Sequence, residues 1–280
     1  MKDRNGAAAR CGQSGVPRPR RQRHFSFSNL AYWITIVFLF LPLLALFFYS
    51  FNRSKGGSWD GFSTIWYEKL IFESPSLWQA FSNSLIIALG SATLATILGG
   101  LAAVGTSRYR FAGRAAVRGL AYLPMILPEI VVGVSLLVFF AGIHFRLGMW
   151  TILIAHVTFN IPFVYLLVDA RLEEFDTSVI EAAHDLGANE MQTLLRVILP
   201  MALPGIASGF LAAVTLSLED FVITFFVSGA GSTTLPLYIY SAIRFGVSPV
   251  INALSAVMVM GTILLVYPLR NFLKTFAARA

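Results

Sequence analysis

Three carboxylates lie in long stretches of chain that otherwise carry no charge: Glu129 in one, and the adjacent pair Glu219-Asp220 in another. An ionisable side chain inside a membrane span costs roughly 2.5–3.5 kcal/mol on insertion scales, so such a residue marks a pathway or a site. Adjacent carboxylates in a low dielectric repel each other, and a bound cation relieves that repulsion. Helical spacing puts Asp220 on one stripe with Ser217, Thr224 and Ser228, and Glu219 on the next with Thr215. Together the two stripes make a face that must avoid lipid. No Lys or Arg falls at the same depth in the predicted spans to neutralise these acids. The chemistry offered is the binding of a cation along a path through Glu129, Ser217, Glu219 and Asp220. His156 and Asn160, spaced i+4, are also polar at depth and are read as an interhelical hydrogen bond.

Covalent and nucleotide chemistry find no support. There is no Gly-Lys pair and hence no Walker A loop, and no H-E-x-x-H or G-x-S-x-G motif. His24, His144, His156 and His184 make no metal spacing, and the single Cys11 excludes an internal disulfide. A non-catalytic chain with no metal or cofactor of its own is expected.

The elements that must position the acids are membrane spans. Among 280 residues, 56% are hydrophobic and only 12% charged, about half the share of roughly 25% usual in soluble chains. Mean hydropathy is +0.71. Apolar runs of about 20 residues, enough for a bilayer core, cover 30–51, 83–105, 119–142, 147–169, 203–228 and 250–269. This predicts an all-α membrane protein of six transmembrane helices. Continuous helices would put Glu129, flanked by Pro124 and Pro128, about 15 Å deep and Glu219-Asp220 about 14 Å deep by helix rise. The prolines predict a kink there, tolerated where backbone lines a cavity.

The formal charge of +7 comes almost entirely from residues 1–29, where seven Lys/Arg face one acid. Gly, Pro and Arg dominate that tail, which reads as disordered. Arg20-Arg21 is only a weak match to a twin-Arg signal, and the apolar run that follows is too long for a cleaved leader. Segments 1–29, 106–118, 170–200 and 270–280 hold 16 of the 21 basic residues, which predicts both termini in the cytoplasm. So apolar a chain is expected to meet lipid and no nucleic acid. The five tryptophans, Trp33, Trp59, Trp66, Trp78 and Trp150, fall near span ends or in outer loops, as interfacial anchors do. In the second span, Ala88, Ala92, Thr96 and Gly100 form one small-residue stripe, and Ser91, Ala95, Gly99 and Ala103 its neighbour. Such stripes let helix backbones approach closely, so this helix is expected at the centre of a bundle with little of it facing lipid.

Segment 170–200 carries six acids against Arg171 and Arg196. Met191, Leu194, Leu195 and Ile198 recur at helical spacing, and Gly187 reads as a helix stop, giving a short helix, a turn and a second helix. Ala183 and Gly187, at i+4, would share a small face that could dock in a groove of a cytosolic partner. The alternative is a surface hairpin that merely ties the fourth span to the fifth.

Glu181-Ala182-Ala183, Gly187, Val197 and Leu199-Pro200 at this spacing resemble the EAA loop of ABC importer permeases. The resemblance implies a type I permease fold over residues 82–270, with a coupling loop at 176–200. Residues 1–29 and 271–280 would be cytoplasmic tails, and 30–81 a first helix with its outer loop. It implies that Glu181, Ala182, Ala183 and Gly187 seat in a cytosolic ATPase dimer that binds the ATP and Mg. It further implies a second, homologous permease subunit and a periplasmic or extracellular solute-binding protein. Met125 to Val131, Ser217-Leu218-Glu219-Asp220, Thr234-Leu235-Pro236-Leu237 with Ile239-Tyr240-Ser241, and Val247-Ser248-Pro249 followed by Asn252-Ala253-Leu254 resemble spermidine/putrescine permeases. Many of these carry Asp-Asp where this chain has Glu219-Asp220. Separated carboxylates with apolar walls suit a polyamine. Permeases for other organic solutes, an ion-coupled carrier working alone and a membrane scaffold are the rival readings.

Overall fold

The computed structural model describes residues 27–55, 58–176, 178–244 and 248–277. The basic tail up to residue 26, with Arg20-Arg21, and Val247 of the last motif lie outside the described residues. The chain divides into two units, Met1–Ala45 and Leu46–Ala280. Helices account for nearly all the regular structure, and one isolated bridge, Asn52 with Phe62, is the extended pairing among the described residues.

The helices are α1 (Phe27–Tyr49), α2 (Ile65–Phe72), α3 (Pro75–Arg108), α4 (Arg114–Ile126), α5 (Glu129–Gly142) and α6 (Met149–Glu173). They continue as α7 (Ser178–Asp185), α8 (Glu190–Thr193), α9 (Leu199–Glu219), α10 (Val222–Val227), α11 (Leu235–Arg244) and α12 (Pro249–Ala277). Among the described residues, four helical stretches are long and apolar enough to cross a membrane unbroken: Asn29–Tyr49, Pro75–Arg108, Met149–Glu173 and Glu190–Glu219. α4 and α5 form a fifth only as a bent pair, and the apolar part of α12 covers Pro249–Leu264. The first stretch buries none of its apolar side chains, the surface expected of a helix in lipid.

Two spans differ from the continuous helices expected. The run 119–142 is broken, with α4 and α5 meeting at 108°. Pro128 disfavours helical backbone at the residue before it, and Leu127 is extended with ψ 137°. The run 203–228 is also broken: α9 ends at Glu219, Asp220 is extended with ψ 121°, and α10 starts two residues later. Depths reckoned from an unbroken helical rise therefore do not apply to Glu129, Glu219 or Asp220. A third difference lies ahead of α9. The helix expected around Met191–Ile198 is no separate element but runs straight into α9 through a wide π turn, Leu194–Ile198. Pro200 cannot donate to the carbonyl four residues back and its ring would strike it, and a wider turn avoids both. At the ends of the chain, helix begins at Phe27 and persists to Ala277, inside the tails expected at 1–29 and 271–280.

α3, α6 and α9 form the packed centre of the Leu46–Ala280 unit. Along α3 the expected small stripes face inward: Ala88, Ser91, Ala92, Ala95, Gly99, Gly100 and Ala103 are buried, and Thr96 is half-buried. A Cβ on Gly99 would lie 2.9 Å from the Ile161 carbonyl oxygen, and one on Gly209 would lie 3.2 Å from Val164 Cγ1. Backbones this close give dispersion contacts that larger residues would forbid. The opposite face of α3, with Leu94, Ile97, Leu98 and Leu101, is exposed, so in this chain the helix is packed on one side only, short of the full enclosure expected.

The loop after α1 is ordered around Asn52, whose Nδ2 donates to the Ser58 carbonyl and whose Oδ1 accepts the Asp60 N–H. Trp66 donates Nε1–H to the Asn52 carbonyl at 2.7 Å and is buried with Leu70, Leu77, Leu235 and Leu254. Trp66 is thus a core residue. Trp33, Trp59, Trp78 and Trp150 are exposed.

Candidate functional site

Both helix breaks open onto one cavity of about 300 Å³, lined by Glu129, Phe159, Leu216, Glu219, Asp220, Phe221 and Val222. Pro128 sets Glu129 as the first helical residue of α5, where unpaired backbone N–H groups favour a carboxylate. On the other side, the end of α9 presents Glu219 and Asp220. The three acids singled out in the sequence are therefore brought together at the junction of two discontinuous helices. Half-helix ends facing each other at depth are a recurring architecture for binding solutes in transporters.

The acids differ in what holds them. Glu129 and Glu219 are exposed, while Asp220 is 8% exposed. Asp220 Oδ1 accepts the Ile223 N–H at 3.2 Å, and Oδ2 accepts the Thr224 N–H at 2.9 Å and the Thr224 hydroxyl at 2.8 Å. The carboxylate thus caps α10, satisfying donors that the break would otherwise leave unpaired. His156 Nε2 lies 3.1 Å from the same Oδ2.

Ser217 does not face the cavity lining. It is buried and sits 2.6 Å from His156 Nδ1, while accepting the Ser91 hydroxyl at 3.2 Å. Asn160 donates to Ser91 Oγ at 3.5 Å. His156 and Asn160 make hydrogen bonds between helices, as expected, but the partner of His156 is one of the acids. Sequence reasoning placed both residues at depth without pairing them. The aromatic walls Phe159 and Phe221 were missed, although Phe221 follows Asp220 directly.

In the second candidate segment, α7 carries Glu181, Ala182 and Ala183, the first two exposed and the third half-buried. Asp176 accepts the Ser178 N–H at 2.9 Å and starts the helix, and these hydrogen bonds hold its carboxyl below the usual range. Gly187 stops the helix as expected. Its φ is +84°, its N–H donates to the His184 carbonyl at 2.8 Å, and the Ala188 N–H donates to the Ala183 carbonyl at 3.0 Å. This pair of bonds is a Schellman cap. Because the helix ends at Asp185, Gly187 does not extend a helical face with Ala183, and that part of the expectation is corrected. Leu186, between them, is 89% exposed.

The end of α3 holds this loop. Arg108 Nη2 donates to His184 Nε2 at 3.0 Å and lies 3.8 Å from Glu190 Oε2. His184 Nδ1 donates to the Ala188 carbonyl at 3.2 Å, which leaves Nε2 free to accept from Arg108. A smaller cavity of about 100 Å³ lies between α7 and the C-terminal ends of α3 and α6, lined in part by Arg108, Phe175 and Ile180.

The match to known proteins covers most of the chain. Residues 95–279 match the family described as "Binding-protein-dependent transport system inner membrane component". The chain is 44% identical over 243 residues to the spermidine/putrescine transport system permease protein PotC of Haemophilus influenzae, covering 86% of this chain and 94% of that one. It is 44% identical over 230 residues to PotC of Escherichia coli K12, covering 82% and 87%. It is 43% identical to the putrescine transport system permease protein PotI of the same strain, covering 81% and 83%. Among solved structures, a bacterial ABC transporter involved in the import of the acidic polysaccharide alginate shares the fold, with a TM-score of 0.66. The aligned region there covers 87% of this chain and 94% of that one, at 18% identity. Broken spans around a cavity, small-residue packing and an EAA loop on a Schellman-capped helix are thus features of a chain that belongs to the family of binding-protein-dependent transport system inner membrane components.

Proposed function

We propose that this chain is a membrane-spanning permease subunit of an ATP-driven importer for polyamines, putrescine or spermidine. The observation that carries the reading is the cavity at the two helix breaks. There, Glu129 and Glu219 are exposed beside the rings of Phe159 and Phe221. A polyamine alternates ammonium groups with methylene chains, so it needs separated carboxylates with apolar walls between them, and rings add cation–π attraction. The names of the 44% identical relatives support the same cargo.

The remaining parts follow from this reading. The chain performs no catalysis. ATP and Mg bind a cytosolic ABC ATPase dimer, which receives α7 with Glu181, Ala182, Ala183 and Gly187. A second, homologous permease completes the path, and a periplasmic or extracellular polyamine-binding protein delivers the cargo. The protein sits in the bacterial plasma membrane with six spans and both termini in the cytoplasm, a placement supported by the 16 basic residues of segments 1–29, 106–118, 170–200 and 270–280. The permease core covers 82–270, preceded by the tail 1–29 and the helix and outer loop 30–81, and followed by the tail 271–280.

The test is uptake of labelled putrescine and spermidine by cells that lack other polyamine import. With Glu129→Gln and Glu219→Gln together, uptake is expected to fall at least about a hundredfold, the factor for losing two charge-assisted contacts. Co-purification with the partner subunits should persist. Unchanged uptake would remove the cavity from the path.

A further inference from the structure

The cavity has three acids, but Asp220 has little acceptor capacity left. One of its oxygens takes the Ile223 N–H, and the other is shared by the Thr224 N–H, the Thr224 hydroxyl and His156. An ionised carboxylate offers about four lone-pair positions. Glu129 and Glu219 carry no such load of backbone donors and face open space.

His156 is the group that decides this arrangement. Its ring is 2% exposed on α6, and both nitrogens are engaged on opposite sides of the break in the neighbouring span. Nδ1 meets Ser217, in the last turn of α9, at 2.6 Å. Nε2 meets Asp220 at 3.1 Å and Thr224, on α10, at 3.0 Å. One rigid ring therefore bridges the helix before the break, the break itself and the helix after it. Ser91 of α3, bonded to Ser217, ties the third packed helix into the same network.

We propose that His156 is a positioning residue for the transit site. It holds Asp220, and through Asp220 the break, so that Glu219 and Phe221 keep their places on the cavity wall. Contact with the cargo's ammonium groups then falls to Glu129 and Glu219, and Asp220 is a structural acid. The proposal rests on the reading of this cavity as the polyamine path. Without the ring, a buried carboxylate loses a partner and Ser217 loses another, while α9 and α10 are freed to move independently. Buried networks of this kind act as units, so removing any member should undo the whole.

The experiment measures uptake per assembled importer, with the amount of complex read by co-purification of the partner subunits. His156→Leu and Asp220→Asn are each expected to lower the maximal rate about tenfold, the scale for leaving one buried polar group unpaired. The pair together should be no worse than either alone. By contrast, His156→Leu combined with Glu129→Gln, an acid on α5 outside this network, should multiply the two losses. The ratio of putrescine to spermidine uptake should shift in His156→Leu, because the spacing of cavity groups changes; a change in protein amount alone would leave that ratio fixed. His156→Gln, which keeps a buried N–H donor group and an acceptor, should recover part of the rate. A normal rate and ratio in His156→Leu, or multiplied losses in the His156→Leu/Asp220→Asn pair, would overturn the positioning role. If Glu129→Gln with Glu219→Gln leaves uptake intact, the cavity reading fails instead, whatever the His156 variants do.

Discussion

Gly99 shows how little tolerance the packed centre has. A Cβ there would lie 2.9 Å from the Ile161 carbonyl and 3.1 Å from Val164 Cβ, and the backbone in that direction belongs to a helix that cannot give locally. Overpacking of this kind costs about 1–3 kcal/mol. Gly99→Leu is therefore expected to lower the thermal midpoint of the detergent-solubilised protein. Gly100→Leu, on the adjoining stripe where nothing lies within 4 Å of the added Cβ, should shift it less, and equal shifts would refute the backbone-contact explanation. At this scale much was legible from the sequence. Small residues at i+4 spacing read as close approach, and an acid in an apolar run reads as a site or as a buried partner, which is the role the hydrogen bonds of Asp220 support. Pairing was not legible. Which buried donor meets Asp220 depends on how α6 and α9 rotate against each other, and the polar stripe of α9 points at several neighbours equally well. Trp66 failed for a related reason, since an amphipathic ring suits an interface and a wet core alike until the Asn52 carbonyl is seen to accept its N–H.

The elements that matter most here are defined by where they stop. Pro128 ends α4, Asp220 ends α9, and Gly187 ends α7; each stop exposes groups that a continuous helix would have used internally. Apolar runs report length and not continuity, so the breaks at 127 and 220 were read only as a kink and not at all, respectively. The stop at Gly187 was legible because a glycine after a helical pattern has a specific backbone role. Replacing it tests the coupling loop. A side chain at φ +84° costs about 1–2 kcal/mol, and that should distort the cap. Gly187→Val is thus expected to weaken co-purification of the ATPase and to reduce uptake several-fold, while the amount of permease in the membrane holds. Normal capture of the ATPase by this variant would argue against the docking role of α7.

For the whole molecule, the decisive property is how much apolar surface stays uncovered. The exposed apolar faces of α1 and α3 belong in lipid or against another subunit, and the cavity at the helix breaks leaves Glu129 and Glu219 exposed. Reconstituted alone in vesicles, the chain should move no polyamine with or without ATP, and uptake should appear only when ATPase, second permease and binding protein are added. Transport by the lone subunit would favour an ion-coupled carrier. The helical stretch Glu190–Glu219 has a mechanical consequence in this setting. It is 30 residues long, about 45 Å by helix rise, and joins the loop at Gly187 to the cavity acids. Its wide turn at Leu194–Ile198 inserts one residue into the helical count and absorbs it locally. Deleting a single residue within the turn would restore ordinary winding with both ends still in phase, whereas deleting one from the regular helix that follows would rotate one end against the other by about 100°. The loop and the cavity would then be in perfect condition individually and out of time with each other, like a camshaft set one tooth off.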